Sequence, residues 1–313
     1  MIPFILRRLA TGVLLAFLVT VITYWLLSFS FDGVARNIAG NTASAETVAG
    51  VFHELGFDRP FLVQYFDWFS GVLRGDFGTS FFSGAPVATA MSTRLSVTLS
   101  MVLTALAITV VISVFLGVWA ATRGGLVDRV VQVGIMFGYV FPGLLLAIAL
   151  VYIFAITLHW LPATGYTPFG DDPGAWLRSI LLPSIVLAIA GTANLTSQVR
   201  GAMIDELRKD YVRTLRTRGV RSRPVVFKHA LRNAASPALT VVSLEFLGMF
   251  GGAMIIERIF ALPGIGSYSY DAAVAGDLPI VLGLTVFIVA LVIVINLATD
   301  LVNGWLNPKA RLV

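Results

Sequence analysis

The chain contains no cysteine, which excludes disulfides, thiolate metal sites and a cysteine nucleophile. Its three histidines, His53, His159 and His229, are too far apart in the sequence to suggest one metal site. Charge is scarce, at 12 % Asp, Glu, Lys and Arg against 57 % hydrophobic residues. No stretch fits G-x-x-x-x-G-K-[ST], so no P-loop cradles a nucleotide phosphate. Neither G-x-S-x-G nor H-E-x-x-H occurs, and internal repeats and low-complexity tracts are equally missing. These absences leave an oily chain with no catalytic constellation of its own.

What is present is apolar length. The mean hydropathy is +0.87, and a bilayer span needs about 20 apolar residues. Six runs qualify: Leu9 to Phe29, Leu95 to Ala121, Val130 to Leu158, Ile180 to Val199, Ala234 to Ile256, and Ile280 to Val302. Lipid offers no partner to an unpaired backbone amide, so the expected fold is an all-α membrane protein of six transmembrane helices. Arg7, Arg8 and "ASA" (Ala43 to Ala45) imitate a secretory signal, but the first run is 21 residues long and the candidate site lies well beyond it. That segment is read as a retained span. Pro142 should kink or locally break the third span, whereas Pro183 and Pro237 fall near helix starts, where proline is tolerated. Gly248 and Gly252 in "GMFGG" form a small-xxx-small pair suited to close helix contact.

These runs divide the chain into residues 1–29 (N-terminus and first span), 30–94, 95–303 (five further helices and a loop at 200–236) and a tail at 304–313. Residues 30–94 read as a small helical insertion: a helix in "ETVAGVFHELGFDRP" ends at Gly56, and Pro60 opens the next. Phe61, Tyr65, Trp68, Phe69 and Val72 follow at helical spacing and should form a packing face.

Positive charge is gathered in one place. Ten of the 22 basic residues lie between Arg200 and Arg232, facing only Asp205, Glu206 and Asp210. With a cytoplasmic N-terminus, the inner segments hold sixteen of the 22 basic residues, as the positive-inside rule requires. Both termini and the 200–236 loop are therefore expected in the cytoplasm, and membrane topology accounts for the charge without nucleic acid. Within the loop, Met203, Leu207, Tyr211 and Leu215 recur along one helical face, Gly219 is placed to end a helix, and "RPVVFKHALRNA" resumes a second helical segment. Two helical segments and a turn form a projection that can transmit force to a soluble partner. Simple attraction to anionic lipid also suits the charge, but explains neither the break at Gly219 nor the second segment.

Polar groups inside the spans are few. Asn194, Thr196, Ser197 and Gln198 cluster at one end of the fourth, Asn296 and Asp300 lie in the sixth, and Glu245 stands near the middle of the fifth. A lone carboxylate there is costly. It faces a water-filled path, or it is a neutral acid hydrogen-bonded between helices. Glu245, Asn194, Gln198 and Asn296 are the candidate pathway residues.

The loop "YVRTLRTRGV" followed by "FKHALRNAASPALT" resembles the cytoplasmic EAA loop of ABC-importer permeases of the dipeptide, oligopeptide and nickel branch. "LGFDRPFLVQYFDWFSGVLRGDFGTS", "LPATGY", "IERIFALPGIG" and "DLVNGWLNPKAR" extend the likeness over most of the chain. Aligned on Gly219, the Glu-Ala-Ala triplet of the broad family is replaced by Arg213, Thr214 and Leu215, and Asn307 and Lys309 flank the final proline in place of the usual acid and base. The resemblance implies a type I importer permease in a bacterial cytoplasmic membrane, itself non-catalytic and without a bound cofactor or metal. It implies a second homologous permease forming a heterodimer, two ATPase subunits that bind ATP and Mg, and an external substrate-binding protein. The implied coupling residues are Arg213, Thr214, Leu215, Arg216, Arg218, Gly219, Val220 and Arg221, and the implied substrate is a peptide. Nickel or another small solute is the alternative cargo, and an ion-gradient transporter using Glu245 the alternative mechanism.

Overall fold

The computed structural model describes residues 2–40 and 42–306. The closing signature at Asn307 and Lys309, and with it most of the 304–313 tail, lies outside them. In chain order the helices are α1 (Ile2–Ser28), α2 (Phe31–Ala39), α3 (Ala45–Glu54), α4 (Phe61–Leu73), α5 (Val87–Arg123), α6 (Gly125–Val140), α7 (Gly143–Leu150), α8 (Pro173–Arg208), α9 (Asp210–Thr217), α10 (Ser222–Pro224), α11 (Leu231–Ile259), α12 (Ile265–Ala275) and α13 (Leu278–Leu306). A π-helical stretch, Val151–Thr157, prolongs α7, and another, Val225–Ala230, joins α10 to α11. The only extended pairing among the described residues is one isolated bridge, Thr79 with Pro86. Among the described residues five helical stretches are long and apolar enough to cross a membrane, and six if the bent pair of α6 and α7 with its π-helical extension is one span.

That bend follows from proline chemistry. Pro142 forces the residue before it into extended backbone, and Phe141 lies at φ −78°, ψ 120°. The two helices meet at 99°. Other expectations are corrected. Helices α5 and α8 run for 37 and 36 residues: α5 starts at Val87, ahead of the expected Leu95, and α8 starts at Pro173 and continues to Arg208, beyond the expected Ile180 and Val199. The apolar pattern reports the hydrocarbon thickness, whereas a helix of this length reaches about 54 Å at 1.5 Å per residue. The early starts of α8 and of the run into α11 place Pro183 and Pro237 inside helices. Of the Gly248 and Gly252 pair, a Cβ on Gly248 would meet nothing of this chain within 4 Å among the described residues, and one on Gly252 would lie 3.9 Å from Leu187 of α8.

The chain separates into two compact units. In the first, residues 1–96 with 264–294, α4 packs on α1 through aromatic side chains. Tyr65 is buried with its hydroxyl 2.9 Å from Thr20 Oγ1, and the rings of Phe17 and Tyr24 meet it edge-on at 5.9 and 5.8 Å. The aromatic stripe is thus a packing face. Helix α3 ends as expected: Gly56 takes φ +70°, the Phe57 amide bonds the Phe52 carbonyl, and their rings touch at 5.6 Å. The buried Asp277 carboxylate accepts from the Ser80 hydroxyl and the Phe81 amide, anchoring the loop before α5.

In the second unit, residues 97–263 with 295–313, α8 is the central helix. Three glycines admit its neighbours. A Cβ at Gly117 of α5 would lie 2.8 Å from Val199, one at Gly138 of α6 would lie 2.7 Å from Ala193, and one on Gly191 of α8 itself would lie 2.7 Å from Met249 of α11. Hydroxyl donors stitch α5 to α8: Thr109 to the Ala188 carbonyl at 3.3 Å and Ser113 to that of Thr192 at 3.1 Å. A bidentate ion pair, Arg200 with Asp128, ties α8 to the start of α6.

Candidate functional site

The basic loop is built on the far end of α8. Its last turn contains Glu206, buried although it lies among lysine and arginine residues. The helix breaks at Lys209, whose ψ of 150° is extended, and α9 starts at Asp210. The break has a chemical cause. Glu206 accepts one bond from Lys209 Nζ and another, at 2.8 Å, from the Tyr211 hydroxyl. That same hydroxyl accepts from Asn233 Nδ2 of α11 at 3.2 Å. One carboxylate and one phenol thereby pin the end of α8, the start of α9 and the returning α11 into one corner. Val212 is fully buried beneath α9.

The outer face of α9 is free. Arg213, Thr214, Arg216, Thr217 and Arg218 are exposed. Arg213 lies 3.7 Å from Asp210, both of them mostly exposed, a pairing of small energetic weight. Among the described residues no carboxylate pairs with Arg216, Arg218 or Arg221. Gly219 closes the helix at φ +79°. Its amide bonds the Arg216 carbonyl, and the Val220 amide reaches back to that of Leu215. This is the left-handed glycine cap, in which the residues at the positions of Leu215 and Val220 commonly touch. Protonation follows the contacts. The Glu206 hydrogen bond holds the Lys209 pKa above its ordinary value, and burial, then Glu206, pushes that of Tyr211 up.

A second polar group lies where α6, α8 and α11 meet. Asn194 Nδ2 donates to Glu245 Oε1 at 2.5 Å, and the Tyr139 hydroxyl donates to Asn194 Oδ1 at 3.3 Å. Gly191 makes room, since a Cβ there would sit 2.8 Å from Glu245 Oε2. The close approach at Gly138, beside Tyr139, brings α6 within reach.

Residues 113–312 match the family model of the binding-protein-dependent transport system inner membrane component, and residues 1–102 match the N-terminal model of such membrane components. The chain belongs to this family. It is a multi-pass inner-membrane permease subunit, a translocation component rather than an enzyme. A probable peptide ABC transporter permease protein of Sinorhizobium fredii is 37 % identical over 98 % of this chain and 99 % of its own. A putative peptide transport system permease protein of Brucella abortus is 38 % identical over 98 % of both chains. The glutathione transport system permease protein of Salmonella typhi is 33 % identical over 99 % of both.

In this permease Arg213, Thr214, Leu215 and Arg216 lie on α9, and Arg218, Gly219, Val220 and Arg221 form the turn that follows. The expected single helix through Met203, Leu207, Tyr211 and Leu215 is interrupted at Lys209, because Glu206 bonds forward across the break. Of the candidate pathway residues, Glu245 and Asn194 are brought together. Gln198 and Asn296 take no part in that hydrogen-bond chain. Asn233, Tyr139 and Gly191 carry no mark in the sequence that sets them apart, and Glu206 appears there only as one of three acids in the basic loop. Its signal is that of a carboxylate among basic residues, with Lys209 and Tyr211 three and five positions on.

Proposed function

We propose that this permease carries peptides into the cytoplasm as part of an ATP-driven importer, with α9 as the element through which ATPase subunits drive it. The observation that carries the reading is the pinned corner. A short helix held at one side by Glu206, Tyr211, Asn233 and the buried Val212 presents unpaired arginines on the other. A helix fixed in this way moves with α8 and α11 rather than flexing alone, so displacement of α9 reaches the spans. ATP binding on the partners then shifts the permease between two conformers, by as much as its differential affinity for them.

The assembly proposed is a heterodimer with a second homologous permease, two ATPases that hold ATP and Mg, and a substrate-binding protein outside. The N-terminus, the basic loop and the C-terminus face the cytoplasm, as the distribution of arginine and lysine supports. The peptide cargo rests on the relatives named for peptides and glutathione. The test is uptake by proteoliposomes holding the full complex and its receptor, offered labelled tri-alanine or nickel with ATP inside. ATP-dependent accumulation of the peptide alone is expected. Accumulation of nickel alone would overturn the peptide reading.

A further inference from the structure

Glu245 is a carboxyl group in a membrane-spanning helix and, among the described residues, has no basic side chain among its hydrogen-bond partners. The Asn194 amide satisfies Oε1, while Oε2 lies toward Gly191, the position at which α8 carries no side chain. Tyr139 donates to Asn194 and so fixes the amide with its NH₂ group on Glu245. The arrangement is asymmetric. Its three oxygens, Glu245 Oε2, Asn194 Oδ1 and Tyr139 Oη, all retain accepting capacity, and no positive side chain belongs to it. Tyr139 and Asn194 are exposed and Glu245 is half-buried, so the group can be reached. An ionisable side chain inside a membrane protein faces the bundle interior or a water-filled cavity rather than lipid. An ammonium presents three N–H donors and one positive charge, which is the complement of this set.

We propose that Glu245, Asn194 and Tyr139 form a transit site for a protonated primary amine of the cargo. Glu245 supplies the countercharge, and Asn194 and Tyr139 orient it. The inference rests on the peptide reading above, because a peptide carries such an amine at its N-terminus, or on a lysine side chain. The site holds the ammonium while the conformers exchange, and it offers nothing to a cargo whose amines are blocked.

The test compares wild type with Glu245→Gln, which can still accept the Asn194 bond and leaves the volume nearly unchanged. Proteoliposomes holding the complete complex and its receptor are offered tri-alanine, N-acetyl-tri-alanine, or N-acetyl-Ala-Ala-Lys. Each variant rate is divided by the wild-type rate with the same peptide, so the receptor's own selectivity cancels. The expected result is a loss of about tenfold or more for tri-alanine, the scale of a charged hydrogen bond, with the acetylated tri-alanine ratio near one. A loss confined to the two peptides with a free amine assigns either amine to the site, and a loss for tri-alanine alone assigns the N-terminus. Equal ratios for all three peptides overturn the inference while leaving the importer intact. Failure of wild type to import tri-alanine overturns the peptide reading and this inference with it. A stability measurement on Glu245→Gln accompanies the assay, because a variant that melts early with equal losses for every peptide assigns Glu245 a packing role and contradicts the proposal.

Discussion

Two glycines in this permease show how one residue type meets different physical demands. Gly219 sits at φ +79° with open space around it, whereas Gly191 is pressed between Met249 and Glu245. Gly219→Ala should therefore cost only about 1 kcal/mol of left-handed strain, confined to the cap. Gly191→Ala should overpack the junction of α8 and α11 by about 1–3 kcal/mol. Melting of the detergent-solubilised protein should fall more for Gly191→Ala, and hydrogen exchange should rise around 215–221 only for Gly219→Ala. The reverse order would contradict the packing described. Tyr211 supplies a pH test. Its pKa is raised by burial and by Glu206, so the stability it contributes is full below the ordinary tyrosine value of 10.0 and is lost as pH rises through the higher folded value. In a difference absorbance titration of wild type against Tyr211→Phe, the missing phenol should ionise later than free tyrosine. Ionisation at or below the free value would refute the buried contact.

At the scale of elements, the corner of α8, α9 and α11 is the decisive unit. Tyr211→Phe removes the hydroxyl shared by Glu206 and Asn233, a loss of about 1–3 kcal/mol if Glu206 is left short of a donor. Faster hydrogen exchange throughout α9 is expected, with receptor-stimulated ATPase turnover partly uncoupled from transport. Unchanged exchange would show that Val212 alone holds the helix. Much of this region is legible in sequence: Gly219 marks the cap, and the density of arginine marks the exposed face. The break at Lys209 is not, because Met203 to Leu215 keep a continuous helical period across it, and the turn shows only in the extended ψ of Lys209 and the bonds of Tyr211 to Glu206 and Asn233. The meeting of Glu245 with Asn194 is likewise half legible. Both stand out as polar residues in apolar runs, yet their contact depends on Gly191 and on the register of two helices 51 residues apart at that contact. Close helix contact was readable as a matter of small residues, but Gly117, Gly138 and Gly191 supply it rather than Gly248.

At the scale of the whole molecule, the absence of cysteine makes orientation directly measurable. Single substitutions Arg7→Cys, Asp58→Cys and Arg218→Cys introduce one thiol each. A membrane-impermeant maleimide should label Asp58→Cys in intact cells, and the other two only in inverted vesicles. Labelling of Arg218→Cys from outside would reverse the proposed topology. The central claim, that α9 is the seat of energy coupling, is tested most directly by co-purification of this permease with its sister permease and ATPase subunits, comparing wild type with an Arg216→Glu/Arg218→Glu variant. Both arginines are exposed on the described chain, so the variant should fold and insert normally. Retention of the sister permease with loss of the ATPases is the result the account predicts; full retention of the ATPases with undiminished receptor-stimulated hydrolysis would contradict it.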